Sequence, residues 1–350
     1  MGTTCAGMNE PAALTSDEAS CPFHLRAAAD AGQAVLDSAT LGCMAFGTPA
    51  VSSSDVRVVS IPLECLDRDS CADLWLSELP VRTGTSQGVH YACNDEVLFG
   101  WTSVTDTPSA QLVDISRDVY TRIGALLEET GFTVYLRTWN YLEDINEGPA
   151  DSERYRLFVK GRFDALAGQA DFERALPAAT AIGTRQGGLV VCFLAGRRAA
   201  QQIENPRQVS AFRYPSIYGP RSPSFSRATL QHWRDASVLF VSGTASVVGH
   251  RTLHPGDARA QFEEILTNLR ALLELARQRH LDRPRAGVFA PAGFKVYVRE
   301  PGDVGLVREL AQRSLSGAPV VILRGDICRR DLSVEIEAVY RCMADGRGDE

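Results

Sequence analysis

"VLFVSGTASV", residues 238–247, reads as an apolar strand, and the segments on its C-terminal side decide the fold. An amphipathic segment, "QFEEILTNLRALLELAR" (261–277), leads on to "KVYVREPGDV" (295–304). The same succession occurs earlier, as "VLFGWTSV" (97–104), "ISRDVYTRIGALLEETG" (115–131) and "TVYLRTWNYLEDIN" (133–146). Both copies pass from an apolar strand through a helix to a strand with a VY core. Ile115, Val119, Ile123 and Leu126 in one helix, and Phe262, Ile265, Leu269 and Leu272 in the other, recur at the 3.6-residue period of a one-sided apolar stripe. Each copy continues with a second helix, near 151–168 and 303–315. Each then closes with a strand pair, "AIGTRQGGLVVCFLA" (181–195) and "PVVILRGDICRRDLSVEIEAV" (319–339). The chain is therefore expected to be internally duplicated and α/β (α+β) in class, with mixed sheets and helices packed on one face. The halves are placed at 51–200 and 201–350. Residues 1–50 are small, polar and aperiodic, and are expected to form a partly disordered N-terminal segment.

The 350 residues are 45% hydrophobic and carry a formal net charge of -7. Such a length supports one large domain or two ordinary ones. An acidic balance argues against nucleic acid as a partner, because that affinity comes mostly from neutralising phosphates. No apolar run approaches the ~18 residues of a membrane span. The first twenty residues show neither the basic nor the apolar region of a signal peptide. The nine cysteines include no CxxC pair and no regular spacing, so they suggest neither a disulfide framework nor a zinc ribbon. The chain is expected to be cytoplasmic. Only two of its 36 basic residues are lysines, Lys160 and Lys295.

Most catalytic signatures are missing: no GxGxxG after a strand, no GxxxxGK[ST], no HExxH and no GxSxG. "GTRQGG" (183–188) lies between two strands and reads as a tight turn. His250 and His254 have i, i+4 spacing, but Pro255 follows and no third ligand is near, so loop or cap roles are favoured over metal. No cofactor and no metal are expected.

Two stretches are more informative. "YPSIYGPRSPSFSR" (214–227) packs two tyrosines, a phenylalanine, two arginines and three prolines into a stiff, extended loop. Arginine forks held on such a loop suit bidentate carboxylate recognition. In "DLSVEIEAV" (331–339), Leu332, Val334, Ile336 and Ala338 alternate onto one face of a strand, which puts Glu335 and Glu337 on the other. Glu337 is expected to be solvated. For Glu335 the outcome depends on what covers that face.

The second half resembles the Rid-type (YjgF-like) fold in its elements "FVSGTASVVGH", "QFEEILTNLRALLE", "KVYV" and "VEIE". Within that superfamily the chain is similar to the chorismatases, which include hydroxybenzoate synthases of bacterial secondary metabolism. The carrying segments are "WNYLEDIN", "ERYRLFVKGR", "LPAATAIGTRQGG", "IENPRQVSAFRYPSIYGPRSPSFSRAT", "SGTASVVGHRTLHPGD" and "GDICRRDLSVEIE", in order along the chain. Rid deaminases carry a carboxylate-binding arginine some nine residues before the terminal strand motif. Here "SGAPVVIL" (316–323) has none, so imine deamination is not expected. Rid domains form trimers, and a duplicated chain could be a monomer or a homotrimer.

The resemblance implies chorismate as substrate. Removing its pyruvyl group requires protonating the enol ether's methylene carbon, after which water or the substrate's own hydroxyl captures the cationic centre. A carboxylic acid whose pKa is raised by burial is the natural donor. The resemblance places that role on Glu335, with Tyr155, Arg162, Tyr214 and Arg227 as substrate ligands. It leaves Tyr218 and Arg221 as either ligands or pins for the loop. Cys328 is expected to line the site and route the intermediate to an aromatic product, although a cysteine in a strand-like stretch can equally be a small buried hydrophobe. Gly243 and Gly249 are expected to give close backbone contacts to the ring. The implied activity yields a hydroxybenzoate, 3-hydroxybenzoate foremost, plus pyruvate. The alternatives are a hydrolase giving a dihydroxycyclohexadiene carboxylate, or a non-catalytic Rid-like binder of small acids.

Overall fold

The two sequence repeats become two seven-stranded sheets that share one strand order. The computed structural model describes residues 21–28, 38–47, 53–66, 71–168, 171–280 and 287–343. The N-terminal part supplies β1 (Phe23–Ala28), β2 (Thr40–Phe46), β3 (Val58–Ile61), β4 (Glu64–Cys65) and β5 (Ala72–Ser77). The first repeat comes next as β6 (Arg82–Ser86), β7 (Val89–Cys93), β8 (Val97–Val104), α1 (Leu112–Thr130), β9 (Val134–Glu143), α2 (Arg154–Leu166), α3 (Phe172–Ala175), β10 (Ala178–Thr184) and β11 (Leu189–Gly196). The second begins with β12 (Gln201–Ile203), β13 (Ala228–His232), β14 (Ala236–Ala245), β15 (Val247–Val248), β16 (Arg251–Thr252) and α4 (Ala258–His280). It closes with β17 (Ala290–Val298), α5 (Val304–Ser314), β18 (Val320–Arg324), β19 (Asp326–Ile327) and β20 (Val334–Met343).

One sheet runs β19-β10-β9-β11-β8-β7-β6, and the other runs β4-β18-β17-β20-β14-β13-β12. Each half lends a two-residue strand to the edge of the other's partner strand: β19 pairs with β10, and β4 with β18. In both sheets the closing strands flank a central one instead of pairing with each other. β10 and β11 sit on either side of β9, as β18 and β20 do around β17. "GTRQGG" is thus not a hairpin turn; it carries the chain past the end of β9, with Gly187 and Gly188 at φ 96° and 66°.

Helices cover one face of each sheet. The stripe of α1, with α2, packs on Leu98, Leu142, Val191 and Phe193 of the first sheet. Phe262, Ile265, Leu269 and Leu272 of α4, with α5, pack on Val241, Val296, Ile336 and Ala338 of the second. Helix α4 starts where the Asp257 carboxylate accepts the Ala260 N–H at 2.9 Å. The other faces of the two sheets meet in one apolar core, which joins Trp139, Tyr141, Val190 and Cys192 to Phe240, Tyr297, Val321 and Leu323. The two VY motifs do not correspond in this arrangement. Tyr135 faces the helices of its half, whereas Tyr297 faces the opposite sheet.

A four-stranded sheet, β1-β5-β2-β3, packs Phe23, Met44, Phe46 and Trp75 into the same core. Residues 23–28 and 40–46 of the segment expected to be partly disordered are thus strands of this sheet. β2, "TLGCMAF", is buried on both faces, so its apolar run shows no alternation. Residues 1–20, on which the leader reading rests, lie outside the described residues. Cys65 and Cys71 are joined as a disulfide, which the irregular cysteine spacing did not suggest. Among the described residues no helix is long and apolar enough to cross a membrane.

Candidate active site

Four elements meet around a cavity of about 420 Å³: the start of α2, the 214–227 loop, the end of β14, and the segment from Cys328 into β20. Tyr155, Tyr214, Arg227, Gly243, Cys328 and Glu335 all line it. A smaller inner cavity continues from it, sharing Tyr155, Gly243, Cys328 and Glu335 and adding Arg162 and Thr180. Helix α2 is fixed by Arg154, whose guanidinium donates to the carbonyls of Glu143 and Thr107, each at 2.8 Å. Tyr155 and Arg162, seven residues apart, then point to one side of it. The loop is set by its own side chains: Ser222 donates to the Tyr214 carbonyl at 2.9 Å, and the Tyr218 hydroxyl to the His250 carbonyl at 2.6 Å. Tyr218 therefore pins the loop while also lining the cavity. Arg221 instead stacks on Phe163, 4.5 Å from the ring centroid, outside the cavity lining.

Glu335 stands on a central strand, opposite Ala245 of β14 and Tyr297 of β17, and only 4% of it is exposed. Burial pushes its carboxyl up to about 8; the Glu337 carboxylate adds to the rise, while Arg137 and Arg227 oppose it. Such a group is a carboxylic acid at neutral pH. Space for it comes from β14. The register slips between Val241 and Thr244, and a Cβ on Gly243 would overlap the Glu335 carboxyl. The Gly243 N–H donates to Thr180 Oγ1 at 3.0 Å. Gly243 thus makes room for the acid more than for a ring.

The arginines retain binding capacity. Arg227, 7% exposed, spends Nη2 on the Val209 carbonyl at 2.8 Å and the Tyr214 hydroxyl oxygen at 2.7 Å, leaving Nε unpartnered. Because Tyr214 accepts that bond, its own proton is available to a ligand. Arg162, 4% exposed, donates Nη2 to Thr138 Oγ1 at 3.2 Å, lies 4.9 Å from the Tyr120 ring centroid, and also has an unpartnered Nε. Two buried guanidinium groups with idle donors beside a neutral acid can hold a small dianion and protonate it. Cys328 sits between the two cavities as a protonated thiol, pushed up to about 12 by burial and by Glu335.

Two expectations fail. Gly249 does not line the cavity. It is a left-handed turn residue (φ 59°) whose N–H donates to the Arg207 carbonyl and whose carbonyl accepts from Val209, each at 2.8 Å. Glu337 is not solvated. The opposite sheet covers that face, so Glu337 is 4% exposed and bonded to Arg137 at 2.7 Å and Lys295 at 2.8 Å. Burial alone would push its carboxyl up, but Lys295 and Arg137 hold it down at about 2. Sequence reasoning also missed Arg329. Its guanidinium lies 4.1 Å from the Tyr218 ring centroid and 5.2 Å from that of Tyr214, with Nη1 donating to the His250 carbonyl at 2.9 Å. Its place beside Cys328 was the available signal. His250 and His254 flank β16 and are not on a helix. Among the described residues no group of three or more metal-ligating side chains occurs.

Known proteins share this arrangement of elements. Residues 73–195 match the family model described as Chorismatase FkbO/Hyg5-like, N-terminal. A chorismatase of Streptomyces hygroscopicus is 36% identical over 313 residues, covering 87% of this chain and 90% of the relative. A 3-hydroxybenzoate synthase of the same species is 39% identical over 277 residues, 77% of this chain and 81% of the relative. A chorismatase crystal structure matches with a TM-score of 0.79 at 33% identity, over 91% of this chain and 98% of that one. With identity at this level over most of both chains, the chain belongs to the chorismatase family.

Proposed function

We propose that this enzyme converts chorismate to 3-hydroxybenzoate and pyruvate, with Glu335 as the proton donor. The observation that carries the reading is a buried carboxyl, pushed up to about 8 chiefly by burial, at the junction of two cavities that also hold Arg162 and Arg227. Arg162 reaches one substrate carboxylate from the inner cavity, and Arg227, with Arg329 beside it, the other. Tyr155 and Tyr214 donate single hydrogen bonds.

Glu335 gives its proton to the methylene carbon of the enol ether, and the ether carbon becomes an oxocarbenium-like centre. In the aromatising route the neighbouring ring hydroxyl takes the part of the nucleophile and releases its proton, a ring C–O bond breaks as pyruvate leaves with one oxygen, and the ring loses a second proton as it becomes aromatic. One of these two protons ends on the ring oxygen that remains and the other restores Glu335, so the route consumes no water and needs no electron carrier. The hydrolytic route differs by the entry of one water and leaves a non-aromatic diene diol. In this reading Cys328, which lines both cavities, limits that water. A cytoplasmic setting fits the buried thiols Cys21, Cys43, Cys93 and Cys192, with the Cys65–Cys71 disulfide as the exception.

The test is pyruvate release from chorismate by the wild type and by Glu335→Gln, with the second product identified by its ultraviolet spectrum. Glu335→Gln keeps the size of the side chain but cannot deliver the proton, so turnover should fall ~100-fold or more. Near-normal turnover would make Glu335 structural. Absence of pyruvate from the wild type would leave a binder of small acids instead.

A further inference from the structure

The sheets enclose a chain of four charges beside the proton donor. Asp73 binds Lys295 at 2.7 Å, Lys295 binds Glu337 at 2.8 Å, and Glu337 binds Arg137 at 2.7 Å. All four residues are at most 5% exposed. Trp139 Nε1 donates to the remaining lone pairs of Glu337 at 2.8 Å, and Thr180 Oγ1 at 2.6 Å. Two anions and two cations cancel. Glu335 is the third carboxyl in this core, two residues from Glu337 on the same strand face, and both cations are already taken.

The fold does not need charge here. In the first sheet Tyr141 and Trp139 stand opposite Val190 and Cys192; in the second, Tyr297 and Lys295 stand opposite Glu335 and Glu337. The first half packs these related places with apolar side chains, in the same inter-sheet core. Buried ion networks add little net stability over well-packed apolar residues. The charges in the second half therefore call for another reason.

We propose that Glu337 is a positioning residue for the proton donor: by occupying Lys295 and Arg137 it denies Glu335 a counter-ion and keeps it a neutral acid at working pH. The proposal rests on the proton-donor role of Glu335. Thr180 makes the link geometric as well as electrostatic, because its hydroxyl bonds Glu337 and accepts the Gly243 N–H that frames the Glu335 carboxyl. The groups around this pair come from every packed element: Arg137 and Tyr141 of β9, Cys192 of β11, Lys295 and Tyr297 of β17, and Asp73 of β5. Tyr155 and Arg162 of α2, Arg227 and Tyr214 of the loop, and Cys328 and Arg329 face Glu335 across the cavities. The rise of the Glu335 carboxyl agrees, since the Glu337 charge is its largest cause after burial.

The experiment is the alkaline limb of kcat/KM against pH for the wild type, Glu337→Gln and Arg137→Met, with circular dichroism to verify folding. Removing the anion in Glu337→Gln frees two cations toward Glu335, so the limb should move about one pH unit or more toward acid. Removing a cation in Arg137→Met should move it toward alkali. Opposite shifts are what an electrostatic role requires and a packing role does not give. A folded variant with the wild-type limb, or shifts of the same sign, would overturn the proposal. If Glu337→Gln does not fold, Arg137→Met decides alone: an alkaline shift supports the proposal, and anything else ends it. Loss of turnover in Glu335→Gln is read separately, so a failure here leaves the proton donor standing.

Discussion

The hydroxyls of Tyr141 and Tyr297 lie 3.3 Å apart between the sheets, and the two residues hold the same place in the two halves. Tyr141 pairs across its strands with Ile182 and Val190, and Tyr297 with Leu323 and Glu335. The duplication meets itself at this contact. One side of it has an apolar wall, and the other carries an acid. The proposed chemistry is therefore asymmetric although the scaffold is repeated, and its measurable consequences all arise on the acidic side.

If Glu335 is the proton donor as proposed, the active form carries its carboxyl protonated, and kcat/KM should hold through neutrality and fall as pH rises through about 8. Stability carries the same sign. A folded pKa of about 8 against an ordinary 4.5 means that stability is full below 4.5 and is lost as pH rises from there through 8. Glu335→Gln has no charge to bury, so its Tm should exceed that of the wild type by several degrees at pH 9 and match it near pH 4. A Tm difference independent of pH would show that Glu335 is already ionised in the folded protein.

Gly243→Ala tests the space around the acid. The added methyl overlaps the Glu335 carboxyl, and the far wall of that place includes Thr180. The carboxyl must turn away, and turnover should drop by ~100-fold while far-ultraviolet dichroism stays native. Wild-type turnover in a folded Gly243→Ala would show that the carboxyl needs no fixed position.

In the proposed binding mode Arg162→Ala and Arg227→Ala each remove a charge-assisted pair to a substrate carboxylate, worth ~2 to 4 kcal/mol when desolvated. KM for chorismate should rise steeply in both. Isothermal titration with a non-reacting dicarboxylate separates binding from chemistry. Unchanged affinity in both variants would assign these arginines to the loop and helix alone.

Cys328→Ala tests the fate of the intermediate. A difference of ~1.4 kcal/mol between two barriers alters the product ratio tenfold. Smaller volume at the wall between the cavities admits water, so the diene diol should rise at the expense of hydroxybenzoate, with total pyruvate unchanged. Chromatography with ultraviolet detection reads the ratio directly. A constant ratio would make Cys328 an ordinary wall residue.

Much of this architecture was present in the order of residues. Periods of 3.6 and 2 placed the helices and strands, and the repeat predicted two like sheets, because both signals are local. The alternation in "DLSVEIEAV" put Glu335 and Glu337 on one face, and the prolines of the 214–227 loop marked a stiff wall. The surroundings of that face were not legible. Arg137 lies 200 residues from Glu337, and Lys295 meets Asp73 of a strand formed near the N-terminus. Lys295 stood out as one of two lysines, yet nothing near it in the chain named its partners. Periodicity states which side chains share a side but not what lies across from them. Whether a strand's polar face meets water or another sheet is decided by packing between distant segments. In this protein that packing holds the carboxyl of Glu337 down and pushes that of Glu335 up.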